Sequence, residues 1–246
     1  MADLSGEQLR GPGGRRRARR FIEAFSSPDS YALVLLLILM TYALSAALTV
    51  SWAASLVLAL QIATVWVALR ASRARRSIRA VANVALATAV VAAAANLFLK
   101  AQVHGGIVAS WVSCLLYLIA PVSIVRHLVL RRRVDSETVL GAVAAYLMAG
   151  MFFAFLYHAL GLSLTRPPFF GPQGHGALSQ DLFFSFTTLT TTGYGDLVPA
   201  GNPGQTFAVL EMLIGQLFLV TAVAKVVNAW RPGQGTGGLR GNADDE

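Results

Sequence analysis

The segment with the clearest capacity for chemistry is TTLTTTGYGDLVP, which runs from Thr187 to Pro199. Its glycines, Gly193 and Gly195, alternate with larger residues, and glycine adopts positive φ without steric cost. A backbone of alternating twist can turn successive carbonyl oxygens toward one axis, and a dehydrated cation needs oxygen ligands on all sides. Thr191 adds a hydroxyl to its carbonyl. The segment could therefore form a cation-binding site, although a soluble protein could use Gly-Tyr-Gly-Asp as a plain turn.

The composition favours the membrane setting that a cation site of this kind requires. The chain has 246 residues, 55% apolar and 13% charged, with a mean hydropathy of +0.59, whereas soluble domains are about 25% charged. The net charge of +8 does not indicate nucleic-acid binding, because that function needs a basic face on a folded domain and the Lys and Arg here form short runs between apolar segments. The single cysteine, Cys114, cannot form an intrachain disulfide and is expected to be a buried apolar residue.

The N-terminal segment is predicted to be a basic cytoplasmic lead-in and not a cleaved signal. Arg15 to Arg20 are followed by residues 30–69, which carry no charge. That apolar stretch is far longer than the core of a signal peptide, which has about 7–15 residues.

Uncharged stretches long enough to cross a membrane follow this lead-in. A helix needs about 20 apolar residues to cross the hydrocarbon. Residues 30–69 have twice that length, end at an arginine cluster, and are predicted to cross twice with a tight turn near Thr49 to Trp52. The other predicted spans are residues 80–99, 101–125, 138–165 and about 204–230. The sequence therefore predicts an all-α membrane protein with six transmembrane helices.

The distribution of positive charge predicts the orientation, since Lys and Arg clusters stay in the cytoplasm. With both termini inside, 18 of the 20 Lys and Arg are cytoplasmic, and only Lys100 and Arg166 lie outside. We therefore expect a multi-pass protein of the plasma membrane, or of the cell inner membrane in a bacterium, with both termini in the cytoplasm.

About 40 residues, 164–203, separate the last two spans. They are rich in Gly and Pro at first and apolar from Ala177 to Thr188. Ser179 is expected to cap a short helix, with Asp181 in its first turn, where the helix dipole favours an acid. Such a helix is too short to cross. The segment is therefore predicted to enter the membrane and return, with its irregular backbone packed in protein or beside a cavity.

Residues from about Ser179 to Trp230 resemble the potassium channel family, whose selectivity filter is made of rings of backbone carbonyls. The resemblance rests on a pore helix, the motif Thr188-x-x-Thr191-Thr192-Gly193-Tyr194-Gly195-Asp196, and an inner helix. It implies that K⁺ binds at the carbonyls of Thr191, Thr192, Gly193 and Tyr194, with Gly195 completing the filter and Asp196 at the outer mouth. Because one chain supplies one wall, the resemblance also implies a homotetramer.

The sequence departs from the usual family pattern at the support of the filter. Thr192 stands where the commonest pattern has Val, and Thr187 stands where some members have a carboxylate. Phe183 and Phe184 occupy the positions of a Trp pair, and a phenylalanine side chain cannot donate a hydrogen bond. These departures bear on filter rigidity, so a weakly selective cation channel stays open as an alternative.

The inner helix carries further candidates. Gly215 matches the family's hinge glycine, with close helix packing as the alternative role. The residues expected to line the cavity below the filter are Gln216, Leu219, Val220, Val223 and Val227. Glu211 lies mid-membrane, where an ionisable residue is a functional candidate, and a structural glutamate against the pore helix is equally open. Lys225 is expected to extend to the cytoplasmic interface, and His158 to be a packed residue.

Four regions are predicted along the chain. They are a basic cytoplasmic N-terminus (1–29), a four-helix membrane region (30–135), a pore domain (136–230) and a disordered cytoplasmic tail (231–246). The predicted function is passive, potassium-selective conduction, with K⁺ as the permeant ion and no cofactor, catalysis or small-molecule substrate. The expected partners are membrane lipids and further copies of the chain. A non-conducting membrane subunit is the alternative from another class.

Opening is expected to depend only weakly on voltage. The fourth span, where a voltage sensor would carry its arginines, has no charge from residue 101 to 125. The regularly spaced Arg70, Arg73, Arg76 and Arg79 join spans two and three, so they are interpreted as an orientation signal.

Overall fold

The computed structural model describes residues 31–47, 51–72, 83, 87, 102–130, 135–164 and 167–229. The elements in these ranges are α1 (Tyr31–Ala47), α2 (Ser51–Ala71), α3 (Gln102–Leu130), α4 (Ser136–Ser163), a 3₁₀ turn (Gly171–Gln173), α5 (Leu178–Leu189) and α6 (Gly204–Ala229). All of them are helical, as the apolar runs predict.

Three of the described helices are long and apolar enough to cross a membrane: Gly106–Leu130, Ser136–Ser163 and Gly204–Lys225. α1 and the Leu56–Ala71 part of α2 are apolar but shorter. The predicted division of residues 30–69 into two helices is confirmed, and the intervening residues 48–50 lie outside the described ranges. The predicted third span, residues 80–99, also lies outside them except at positions 83 and 87, as do the two predicted terminal regions.

Local polar contacts set where α4 begins. The carboxylate of Asp135 accepts a hydrogen bond from the backbone N–H of Thr138 at 2.9 Å and another from its hydroxyl at 2.6 Å. Glu137 adds a negative charge in the first turn, where the helix dipole favours it. α4 ends at Ser163, shortly before Pro167 and Pro168, which cannot continue a helix.

α5 begins earlier than the sequence predicts. The predicted cap, Ser179, lies inside the first turn, and the N-cap residue is Ala177. Gly176, at a φ of 81°, turns the chain directly before this residue. The side-chain oxygen of Gln180 reaches back to accept the backbone N–H of Ala177 at 2.8 Å, so the first turn is satisfied without a serine cap. Asp181 lies in the first turn, as expected.

α4 is the central helix of the described structure, and it packs against α1, α3, α5 and α6. Its inward face is fully buried at Met148, Met151 and Tyr157. α6 is the opposite case, since only 17% of its most apolar stretch is buried, against 56% for α4. The fold therefore holds α5 against a buried scaffold and leaves most of the apolar inner helix uncovered.

Candidate functional site

The backbone after α5 alternates in handedness. Thr191, Gly193 and Gly195 have φ angles of 58°, 50° and 85°, and Thr192 and Tyr194 between them do not have positive φ. Alternating right- and left-handed residues collect successive N–H groups on one side, which leaves the carbonyls for the other side. Positive φ is a genuine outlier for a β-branched residue such as Thr191. Strain of this kind is typical of sites where the surroundings fix the backbone for a function.

Hydrogen bonds to the last turns of α5 hold this backbone. The carbonyl of Thr187 accepts the N–H of Thr192 at 2.8 Å and that of Gly193 at 3.1 Å, and the carbonyl of Thr188 accepts the N–H of Thr191 at 3.0 Å. Among the hydrogen bonds of the described residues, none is accepted by the carbonyls of residues 191–194. Residues 190–196 are exposed. The amides therefore point back to the helix, and four successive carbonyls are available to a ligand.

Threonine hydroxyls tie the start of the loop together. The hydroxyl of Thr190 donates to the carbonyl of Phe186 at 2.7 Å and lies 2.9 Å from the hydroxyl of Thr192. The hydroxyl of Thr187 donates to the carbonyl of Phe184 at 3.0 Å. Thr187, which stands where some family members have a carboxylate, therefore supports the loop mainly through its backbone carbonyl.

The C-terminal end of α5 is directed at the loop. The helix ends at Leu189, and the negative end of its dipole favours a cation within the adjoining turn. The hydroxyl of Tyr146 on α4 donates to the carbonyl of Leu189 at 3.1 Å. This bond fixes the end of α5 to the central helix.

The two phenylalanines at the positions of the Trp pair have different surroundings. Phe183 stacks on the ring of Tyr194, with ring centroids 5.7 Å apart and planes 12° from parallel. Phe184 is buried with Tyr157 and Phe170, at centroid distances of 5.0 and 5.4 Å. Of the two, only Phe183 contacts Tyr194, and its contact is a ring stack without the directional hydrogen bond that an indole could supply.

Two buried carboxyl groups lie between the helices. Asp181 is fully buried on α5, and its Oδ2 lies 2.8 Å from Nδ1 of His158 on α4. Glu211 is fully buried on α6 and contacts Ser185 of α5 and Tyr157 of α4. His158 is thus a packed residue with a carboxyl partner. Of the two roles open for Glu211, the contacts fit a structural glutamate packed against α5.

α6 packs against the other helices along one stripe of its surface. The residues of the stripe are spaced three or four apart and are Ala208, Glu211, Gly215, Phe218, Ala222 and Lys225. A Cβ added to Gly215 would lie 2.3 Å from the carbonyl oxygen of Leu189, so the packing at the end of α5 requires a glycine. The expected cavity residues Gln216, Leu219, Val220 and Val223 are exposed, off this stripe, as is Val227.

Lys225 makes a contact that the sequence did not predict. Its Nζ donates a hydrogen bond to the carbonyl of Leu128, near the C-terminal end of α3. This carbonyl belongs to the last turn of a helix, where orphan acceptors and the helix dipole favour a cation. Lys225 therefore joins α6 to the end of α3, and its extension toward the cytoplasmic interface stays a prediction.

Sequence reasoning missed Tyr146, Tyr157 and Ser185, which hold α4, α5 and α6 together. Each is a polar group that directly follows an apolar residue in its helix. In a membrane helix such a group is expected to find a hydrogen-bonding partner across helices. That signal marks the residues without naming the partners.

Comparison with known proteins finds a match for the C-terminal part of the chain. Residues 141–231, which hold α5, the loop and α6, match a family described as ion channels. Ion channels are not enzymes, so the prediction of a non-enzymatic membrane protein is confirmed by this match.

The similar proteins are potassium channels. The chain is 35% identical over 83 residues to the inward rectifier potassium channel Kirbac3.1 of Paramagnetospirillum magnetotacticum, which covers 33% of this chain and 25% of that protein. It is 24% identical over 135 residues to the voltage-gated delayed rectifier potassium channel KCNH5 of Homo sapiens, covering 51% of this chain and 12% of that protein. The Mus musculus channel of the same name gives the same values. No solved structure gave a significant match. The resemblance to potassium channels is therefore confirmed, and the chain spans a quarter or less of the length of these relatives.

Proposed function

We propose that the chain is one subunit of a potassium-selective channel, in which K⁺ crosses the membrane passively through a filter of backbone carbonyls. The observation that carries the proposal is the row of four unengaged carbonyls at residues 191–194, on a backbone that alternates in handedness. In this proposal Thr191, Thr192, Gly193 and Tyr194 bind the ion, Gly195 completes the turn, and Asp196 lies at the outer mouth.

A homotetramer follows from the geometry of ion binding. One chain supplies one row of carbonyls, and a dehydrated cation needs ligands around its full circumference. The uncovered apolar surface of α6 supports assembly, because four copies around an axis would bury part of it. Lipid would contact the outer faces of the assembly.

The proposed topology has six spans, with α5 and the filter forming a re-entrant segment between the last two. The pore domain covers residues 136–230 and follows the membrane region 30–135. With both termini cytoplasmic in the plasma membrane or bacterial inner membrane, 18 of the 20 Lys and Arg are inside.

Gly215 is proposed as the hinge of α6, with Gln216, Leu219, Val220 and Val223 lining the cavity below the filter. The contact of Gly215 with Leu189 supports its position where α6 passes the end of α5. The exposure of the four cavity residues is compatible with a water-filled cavity.

Weak voltage dependence is proposed for opening. α3 carries no Asp, Glu, Lys or Arg before Arg126, near its end. A charge that crosses the field contributes about 2.3 kcal/mol per 100 mV, so an uncharged helix contributes nothing to gating.

The test is ion flux from purified protein in liposomes. A potassium gradient should drive flux that an equal sodium gradient does not. A weakly selective cation channel is the second candidate, because the stack of Phe183 on Tyr194 supplies no hydrogen bond to hold the filter ring. Equal flux of the two ions would favour that candidate, and the lack of flux with either ion would favour a non-conducting subunit.

A further inference from the structure

A group of buried oxygen atoms joins α4, α5 and α6 around Glu211. The Oγ of Ser185 lies 2.5 Å from Oε1 of Glu211 and 2.7 Å from the carbonyl oxygen of Gly150. The Oη of Tyr157 lies 2.6 Å from Oε2 of Glu211. We call these four residues the Glu211 clasp. Glu211 and Ser185 are fully buried.

The number of hydrogens in the clasp depends on the protonation of Glu211. The three short contacts of the clasp each need one hydrogen, because two oxygens 2.5–2.7 Å apart repel each other unless a hydrogen lies between them. With an ionised Glu211 only the hydroxyls of Ser185 and Tyr157 supply hydrogens, and a carbonyl cannot donate. A protonated Glu211 supplies the third. Its Oε1–H then donates to Ser185, Ser185 donates to Gly150, and Tyr157 donates to Oε2.

The surroundings of Glu211 do not offset a negative charge. Tyr157 faces the carboxyl from α4 and Ser185 faces it from α5, and both are neutral groups. Within the described residues, no Lys, Arg or His lies within ion-pair distance of this carboxyl. Lys225 is engaged with Leu128, and His158 with Asp181. A buried carboxylate without a counter-charge is strongly disfavoured.

The clasp lies one helical turn before the point where α6 meets the end of the pore helix. Glu211 is four residues before Gly215, which packs against the carbonyl of Leu189. The two contacts fix this turn of α6 to α5, and Tyr157 fixes it to α4 as well. The filter therefore starts from a helix end that is tied to the inner helix at two successive turns.

We propose that Glu211 is a neutral positioning residue, which holds the inner helix to the pore helix through its carboxyl proton and so keeps the filter in register. The proposal rests on the proposed channel function. It assigns Glu211 a role by shape and hydrogen bonding, and not as a fixed charge that attracts cations into the pore.

The test compares E211Q with E211L in liposome flux and by infrared spectroscopy. A glutamine amide can donate to Ser185 and accept from Tyr157, so E211Q should keep potassium flux within about twofold of the unmodified chain. E211L leaves the buried hydroxyl of Tyr157 without its partner and breaks the link from α6 to Ser185, so it should lower flux at least about tenfold. S185A should resemble E211L. The control is E137Q, the same substitution at a half-buried glutamate at the start of α4.

The infrared measurement tests the proton directly. The carbonyl stretch of a protonated carboxyl should be present in the unmodified chain, retained in E137Q and lost in E211Q. A band unchanged by E211Q would overturn the proposal, as would a loss of flux in E211Q equal to that in E211L. If the unmodified chain carries no flux, the channel proposal fails. In that case the infrared band, together with the relative thermal stability of E211Q and E211L, still decides whether Glu211 is neutral.

Discussion

The filter assignment makes its sharpest prediction at two glycines that both have positive φ but occupy different places in the chain. Gly193 has a φ of 50° and Gly174 a φ of 86°, and a Cβ at either position would have no neighbour within 4 Å. Valine is therefore strained at both positions without a Cβ contact, and at Gly174, with a φ of 86° and a ψ of −155°, the conformation is almost restricted to glycine, so G174V is penalised at least as strongly as G193V. G193V acts on the carbonyl row, whereas G174V acts on the loop before α5.

The magnitude follows from the conformation. A non-glycine residue in the left-handed region costs about 1–2 kcal/mol, and four copies around one pore would add about 4–8 kcal/mol. Since about 1.4 kcal/mol corresponds to a tenfold change in an equilibrium, the population with all four carbonyl rows in place should fall by about a thousandfold or more. G174V distorts four loops that need not act together.

The assay is the potassium-to-sodium preference of each variant, from reversal potentials in planar bilayers or from liposome flux. G193V should lose its potassium preference or its conduction, and G174V should keep both. Size-exclusion profiles of the two variants control for assembly. Unaltered potassium selectivity in G193V would refute the filter assignment. An equal loss in both variants, with normal assembly, would show that the effect does not arise at the carbonyl row.

Three further predictions address assembly, filter support and gating. Chemical crosslinking of the purified protein should reach a tetramer, and saturation at the dimer would contradict the ring of four carbonyl rows. F183L removes the stack on Tyr194, a contact that contributes about 0.5–1.5 kcal/mol beyond its buried area, and should weaken the preference for potassium over sodium. The control is F186L, on the same helix but packed on Tyr42, which should keep that preference. If the two variants have the same preference, Phe183 does not support the filter. Conductance–voltage curves should be shallow, and a steep sigmoid carrying several gating charges would contradict the role assigned to α3, which carries no charged residue before Arg126.

The sequence predicted most of the helical organisation because hydropathy depends on local composition. The bounds of α3, α4 and α6 lie close to the predicted spans, and residues 30–69 form two helices. The start of α5 was predicted two residues late, at Ser179. A cap rule weighs residue types, whereas the turn at Gly176 and the reach of Gln180 determine where the chain enters this helix.

The site was partly predictable for a similar reason. Glycine is the residue type that most readily adopts positive φ, so Gly193 and Gly195 were predictable positions for it, and both have positive φ. Thr191 does not, because β-branched residues avoid that region, and its conformation is held by the amide bonds from residues 191–193 to the carbonyls of Thr187 and Thr188. The pairing of Glu211 with Ser185 and Tyr157 joins three helices far apart in sequence, so no spacing rule could identify it.

The two sides of α6 differ in what they contact, and the proposed channel would use them differently. The stripe at Glu211 and Gly215 is fixed to the helix that precedes the filter. Beyond Gly215 the same stripe continues through Phe218, which packs on Tyr146 at a centroid distance of 5.6 Å, and reaches Lys225 on α3. The remaining faces are uncovered in a single copy of the chain. In the proposed channel they would contact adjacent copies of α6, the water of the pore and lipid.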